Sequence, residues 1–349
     1  MNSSWRQALT ERGARIDAER VTGFTGSQRE VELDATATVV TALFSHGLIM
    51  ASGEDAQAFL QGQLSNDITR VSRSRAQLAA YCTPKGRVLA TLLLWNTEEG
   101  YALELPCELC DPIRKRLQMY VLRSRVQLTD ASERSAVIGV IGPDAALAVR
   151  SELGFALSSD YDVARSDGVT AIALPGGRVE VIADVVRGAE TWDRLARRCV
   201  ALGEEVWDAH AIASGIPAIT AATQDQFTPH MLNLDLVGGI SFDKGCYTGQ
   251  EIVARTQYLG QVKRRLARFA TTARAAPGAP IYAGTAPAGV VVNSARSLAG
   301  EFELLAVTQT QAAGSRTALQ LGSEGPALRP LVLPYPVPDL SSRHGGESG

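Results

Sequence analysis

Lys244-Gly245-Cys246-Tyr247-Thr248-Gly249-Gln250-Glu251 is a tight loop that two glycines bend around a single cysteine. Gly245 leaves the space beside Cys246 free, so that a ligand or a partner can approach the backbone closely. Lys244 places a positive charge two residues from the sulfur. A nearby cation favours the thiolate, which is the nucleophilic and metal-binding form of cysteine. A buried structural cysteine is the alternative, but the polar and glycine neighbours favour a functional thiol. Lys244 and Cys246 are therefore the predicted catalytic residues.

This loop is the last in a series of short motifs. The earlier ones are Gly53-Glu54-Asp55-Ala56, Thr83-Pro84-Lys85-Gly86-Arg87, Gly215-Ile216-Pro217, Phe227-Thr228-Pro229 and Asn233-Leu234-Asp235. In this order and spacing, and with residues 242–255, they resemble the signature of the folate-binding YgfZ family. Members of that family are relatives of the T-protein (aminomethyltransferase) of glycine cleavage and of mitochondrial iron–sulfur assembly factors. The resemblance covers residues 42–268 and extends beyond them in pattern only.

The resemblance implies a fold, a cofactor and a function. The fold would be α+β and T-protein-like, with ferredoxin-like α/β sandwich domains and a C-terminal antiparallel β-barrel. The cofactor would be tetrahydrofolate or another folate. The function would be to support the assembly, maintenance or repair of iron–sulfur enzymes, including enzymes that methylthiolate tRNA. The implied partners are those client enzymes and assembly proteins, and Cys246 would be a nucleophile, an iron–sulfur ligand or a docking point.

Several residues are candidates for folate contacts. Trp207 matches a family tryptophan implicated in folate binding, and an indole offers a flat apolar face to a pterin ring. His46 aligns with a position where the family can carry a folate-contacting tryptophan. The amino-pyrimidine edge of a pterin needs a carboxylate or an amide, and the candidates for that contact are Asn66, Gln250 and Glu251. Tyr247 and Arg255, which belong to the signature, complete the predicted folate-binding set.

One motif departs from the T-protein pattern. Where those relatives carry a pair of aspartates, one of them central to methylene transfer, this chain has Ala90-Thr91. Aminomethyltransferase activity is therefore not expected, and whether the protein is an enzyme stays open. A folate-dependent one-carbon transferase with altered residues is the alternative function, and a binding or regulatory module without chemistry is the third.

Composition limits the other possibilities. The chain has 349 residues, 34 basic and 37 acidic, and a net charge of −3, which argues against a nucleic-acid binder that relies on bulk charge. No apolar run is long enough to span a membrane, and the first residues lack a signal-peptide core. Five cysteines without framework spacing indicate a reducing cytoplasm. The scattered histidines and cysteines predict no metal site, apart from Cys246 as a possible iron–sulfur ligand.

Hydrophobic periodicity and turn residues predict four regions along the chain. The resemblance implies that residues 1–134 with 205–254 form a discontinuous folate-binding α+β domain. The β-α-β-β-α order of residues 135–204 indicates a second, ferredoxin-like domain. Short strands between glycine- and proline-rich turns predict a β-barrel over residues 255–335. Residues 336–349 are polar and are predicted to be a disordered tail.

The same patterns predict individual elements. Residues 1–40 are predicted to be a helix and a short extension, and residues 78–82 and 88–95 to be strands joined by the turn Thr83-Pro84-Lys85-Gly86. Further helices are predicted over residues 189–202 and over residues 204–214, which carry Trp207.

Overall fold

The computed structural model describes residues 3–25, 37–259, 262–297, 299–309 and 318–338. Its helices are α1 Ser3–Glu11, α2 Ala56–Gln63, α3 Cys107–Gln118, α4 Ala145–Leu153, α5 Val185–Leu195, α6 Glu205–Ala213 and α7 Gln250–Leu259. None of the helices in these ranges is long and apolar enough to cross a membrane.

The strands form a small hairpin and three larger sheets. In chain order they are β1 Ala14–Asp17, β2 Arg20–Phe24, β3 Val39–Ala42, β4 His46–Ser52, β5 Gln77–Cys82, β6 Val88–Asn96, β7 Gly100–Pro106, β8 Gln127–Asp130, β9 Ser135–Ile141, β10 Val163–Ser166, β11 Val169–Leu174, β12 Arg178–Asp184, β13 Val200–Ala201, β14 Arg264–Thr271, β15 Pro280–Ala283, β16 Ala286–Arg296, β17 Phe302–Gln309, β18 Leu319–Leu321 and β19 Arg329–Leu331.

The first sheet has the antiparallel order β5-β6-β7-β4-β8. Its strands are almost continuously buried; β6, for example, is buried at every position except its last. Such a pattern is expected of a strand that is covered on both faces. The largest hydrophobic cluster contains this sheet with α2 and α3 and reaches Val253 of α7 and Leu266 of β14.

The second sheet has the order β10-β11-β12-β9-β3-β13. Strand β3 pairs antiparallel with β9, so the N-terminal segment enters the sheet built mainly by residues 135–201. Trp5 and Leu9 of α1 share a hydrophobic cluster with this sheet, on the other side of the predicted boundary at residue 135. A further cluster joins residues of both sheets and contains Trp207. The two sheets therefore meet around this tryptophan.

The third sheet, with the order β18-β15-β16-β17-β14-β19, is antiparallel and curled. A β-bridge between Gln320 and Ala327 links strand β18 to the segment that leads into β19. Together with the two preceding sheets and the helices, this sheet confirms the predicted α+β class. The predicted disordered tail lies outside the described residues from position 339 onward.

Three elements differ from the sequence prediction. The hairpin β1–β2 occupies a stretch that was predicted to be an extension. A helix predicted over residues 189–202 begins at Val185 and ends at Leu195, because the chain must then extend to pair β13 with β3 in parallel. Helix α7 was not predicted, since Ile252 and Val253 favour a strand in isolation. It begins directly after Gly249, whose backbone has φ +84°.

Candidate functional site

A cavity of about 420 Å³ lies where the three sheets approach one another. Its walls come from β4, β6, β7 and β12, from one side of α6, and from Asn293 and Ser294 of β16. Apolar side chains such as Leu92, Leu93 and Ile212 form part of the wall. A volume of this size, with apolar walls and a few polar groups, is typical of a small-molecule site.

Trp207 and His46, both predicted to contact folate, lie together in this cavity. Their rings meet edge to face with centroids 6.2 Å apart. The Trp207 side chain is only 2% exposed, and the guanidinium of Arg178 lies 5.0 Å from its ring centroid. A methyl group at Gly139 would come within 2.5 Å of the indole, so the glycine allows Trp207 to pack directly on β9. With Gly139 and Arg178 packed against it, the indole is a wall of the cavity rather than an open stacking platform.

Two carboxylates and an imidazole lie together in the wall of the cavity. Glu104 on β7 forms an ion pair with Nδ1 of His46, and Glu180 on β12 is buried near both. Burial alone would lower the pKa of His46, but Glu104, Glu180 and Glu204 raise it to about 9. Burial and the charge of Glu104 raise the pKa of Glu180. The cavity therefore holds proton donors and acceptors shielded from water.

Glu104, Arg178 and Glu180 were not predicted from the sequence. Each carboxylate interrupts an apolar strand, as in Leu103-Glu104-Leu105 and Val179-Glu180-Val181. Acidic residues are seldom fully buried unless they are paired. A charged residue inside a buried strand was the signal that could have identified them.

The other predicted site residues lie around the cysteine loop, and none of them lines the cavity. Cys246 is exposed to solvent, as are Glu251 and Arg255 on α7. Gln250 begins α7, and its side-chain oxygen accepts a hydrogen bond from the backbone N–H of Tyr247 at 3.3 Å. The Tyr247 ring is buried beneath the loop.

Lys244 has a structural role. Its ammonium donates to the backbone carbonyl oxygens of Gln61, Leu64 and Asn66 at 2.7–2.8 Å. It also lies 5.1 Å from the ring centroid of Tyr247. Because a lysine has three N–H donors, these bonds occupy all of them and fasten the loop to the end of α2. The activation of the Cys246 thiolate by Lys244 stays a prediction.

Asn66 connects the loop region to the cavity wall. Its Nδ2 donates to the carbonyl oxygens of Leu78 and Gly238 at 2.7 and 2.8 Å, and its Oδ1 accepts from the backbone of Asp67. Leu78 of β5 lines the cavity. The amide of Asn66 is thus committed to the backbone, and Asn66 itself does not line the cavity.

Comparison with known proteins finds relatives that share one name. No protein-family model matches the sequence. The tRNA-modifying protein YgfZ of Enterobacter sp. (strain 638) is 32% identical over 235 residues, which are 66% of this chain and 72% of the relative. The protein of the same name from Colwellia psychrerythraea is 32% identical over 231 residues, 66% of this chain and 70% of the relative.

A solved structure resembles the whole chain. It is the glycine cleavage system aminomethyltransferase T from Bartonella henselae, with a TM-score of 0.76 over 96% of this chain and 97% of that one. The sequences are 14% identical, so the likeness establishes the fold alone.

Proposed function

The chain belongs to the family of the tRNA-modifying protein YgfZ, as its cysteine loop predicted, and on that premise we propose that it binds tetrahydrofolate and supports iron–sulfur enzymes. The cavity with its buried carboxylates is the observation that carries the proposal. The clients would be cytoplasmic iron–sulfur enzymes, including those that modify tRNA. The protein would act on them through Cys246 rather than contact nucleic acid itself.

The cavity has the groups that a reduced folate requires. The amino-pyrimidine edge of a pterin carries N–H donors, and the carboxylates of Glu104 and Glu180 are placed to accept from them. Leu93 and Trp207, which belong to one hydrophobic cluster and line the cavity, would contact the ring. Charge-assisted hydrogen bonds to a buried carboxylate are stronger than neutral ones, which favours a ligand with donors at this end.

Cys246 supplies the second half of the proposal. The loop holds the thiol at the surface while Lys244 and Tyr247 anchor the backbone on either side of it. An exposed cysteine on an anchored loop is accessible to a protein partner or to a cluster. We propose that the folate site and the thiol act in one protein, with β5 and Asn66 as the structural connection between them.

Complementation tests this function. In a strain that lacks its own YgfZ, the wild-type chain should restore methylthiolated tRNA, and Cys246→Ala should not. Cys199→Ala is the matched control, because Cys199 is buried away from both sites and the loss of its sulfur should leave complementation intact. Full complementation by folded Cys246→Ala would refute a functional thiol.

A further inference from the structure

Three strands from two sheets bring nitrogen and oxygen ligands together inside the cavity. His46 is the first residue of β4, Glu104 lies in β7, and Glu180 lies in β12. One ligand atom from each of the three side chains can be chosen so that all lie within 4.8 Å of one another. Sequence spacing gave no sign of this cluster, because its members are 58 or more residues apart.

One carboxylate oxygen of the cluster lacks a partner. Glu180 is 1% exposed, and its buried Oε1 accepts no hydrogen bond within the described part of the chain. Glu104 is engaged by His46, and Arg178 lies beside the carboxylates with its Nε committed to the carbonyl oxygen of Pro175. A buried carboxylate oxygen without a partner costs free energy unless a proton, a donor or a cation satisfies it.

We propose that His46, Glu104 and Glu180 bind a divalent first-row transition cation, such as Mn²⁺, Fe²⁺ or Zn²⁺. One imidazole nitrogen and two carboxylates form a donor set that suits these ions, whereas Mg²⁺ and Ca²⁺ favour oxygen ligands alone. The three protein ligands leave coordination positions that face the cavity, where water or an oxygen of a bound ligand completes the shell. Binding displaces the proton of His46 and any proton held by Glu180, since metal ligands must be deprotonated.

The charges of the cluster are consistent with this assignment. Two carboxylates and a neutral imidazole carry a charge of −2, which a divalent cation cancels. Arg178 remains close enough to interact with both carboxylates, and its guanidinium lies against the ring of Trp207. The proposal does not rest on folate binding. It uses the same two carboxylates that the proposed folate mode assigns to the pterin, so a cation and a pterin edge would compete for Glu104 and Glu180.

Manganese titration of the chelator-treated full-length protein tests the site. Mn²⁺ favours nitrogen and oxygen ligands over thiols, so Cys246 does not compete for it. Free Mn²⁺, followed by electron paramagnetic resonance, should show one bound ion per chain. Glu180→Gln and His46→Gln should each weaken binding more than tenfold. Glu108→Gln is the control, because Glu108 lines the cavity outside the cluster and its Oε1 accepts from Ala221, which a glutamine oxygen can still do.

Absence of Mn²⁺ binding by the folded wild-type protein at low millimolar concentration would overturn the proposal, as would wild-type affinity in folded Glu180→Gln. If both variants unfold, a rise in the melting temperature of the wild-type protein with Mn²⁺ supports the site, and no rise contradicts it. A parallel titration with tetrahydrofolate in metal-free buffer separates the two proposals. Folate binding without Mn²⁺ binding overturns the metal site alone, and Mn²⁺ binding without folate binding overturns the folate site alone.

Discussion

Cys246 differs from the other cysteines in its access to solvent. Burial raises the pKa of Cys107 and of Cys110, that of Cys82 to about 12 and that of Cys199 to about 11. Those four thiols are thus held protonated at neutral pH.

Alkylation should therefore be selective. With limiting iodoacetamide at pH 7.5, we expect Cys246 to be modified first and at least tenfold faster than any other cysteine. Peptide mass spectrometry after timed quenching gives the order of modification. Denatured protein is the control, in which all five cysteines should react at similar rates. Faster labelling of Cys107 in the native protein would contradict the prediction.

His210, one turn after Trp207 on α6, should make the protein sensitive to acid. Burial and then Arg178 lower its pKa from 6.5 to about 4. Between those values the unfolded state binds more protons than the folded state, so stability falls as the pH is lowered from 6.5 to 4. In His210→Gln, the fall in the free energy of unfolding over this pH range should be smaller by about 1–3 kcal/mol. Urea unfolding at pH 6.5 and 4.5 measures this fall in both proteins. The same fall in the wild type and in His210→Gln would contradict the lowered pKa of His210.

At the scale of the element, the cysteine loop and α7 act as one unit. Gly249 has φ +84°, and a methyl group there would come within 2.4 Å of the carbonyl oxygen of Thr83. Gly245 has no atoms within 4 Å of such a group. The two glycines thus have different roles. Gly249 is required by the backbone, whereas Gly245 leaves open space beside Cys246, as the sequence indicated.

Alanine at each glycine separates these roles. Gly249→Ala should lower the free energy of unfolding by at least about 1–2 kcal/mol, because a left-handed backbone conformation is strained with a side chain. Gly245→Ala should leave stability within about 0.5 kcal/mol of the wild type. Denaturant unfolding compares the free energies of unfolding of the two variants with that of the wild type. Equal destabilisation would contradict the geometry, and reduced complementation by the stable Gly245→Ala protein would indicate a partner that approaches the loop closely.

Elements with strong local patterns were predictable from the sequence, and those fixed by distant contacts were not. The strands flanking Thr83-Pro84-Lys85-Gly86 and the helix carrying Trp207 lie where periodicity and turn residues predict them. Helix α5 ends early because of the β3–β13 pairing, which no local pattern reveals. The same reason explains why Cys246 could be proposed from the sequence, whereas the cluster of His46, Glu104 and Glu180 could not. Loop chemistry is local, whereas the cluster is assembled by sheet topology.

At the scale of the whole molecule, the chain has the fold of an aminomethyltransferase but not the acidic pair of the T-protein relatives. Ala90 is fully buried in β6, and Oγ1 of Thr91 accepts a hydrogen bond from the backbone of Ile219 at 3.1 Å. Thr91 reaches the cavity but carries no charge. Neither position offers the carboxylate that the resemblance associates with methylene transfer.

The protein should accordingly form no methylene-tetrahydrofolate from an aminomethyl-lipoyl carrier. A coupled assay of that product, with the aminomethyltransferase T from Bartonella henselae as the positive control, measures it. Turnover within tenfold of the control would contradict the prediction and favour the alternative of a one-carbon transferase.

Tetrahydrofolate binding in the cavity is the central claim, and anaerobic titration calorimetry tests it most directly. The wild-type chain should bind one tetrahydrofolate. Ala211→Phe, which places a ring in the cavity from α6, should bind it at least tenfold more weakly, a loss of about 1.4 kcal/mol. Ala146→Phe, on the exposed face of α4, should bind like the wild type. No binding by the folded wild-type protein, or equal affinity in Ala211→Phe, would contradict the account.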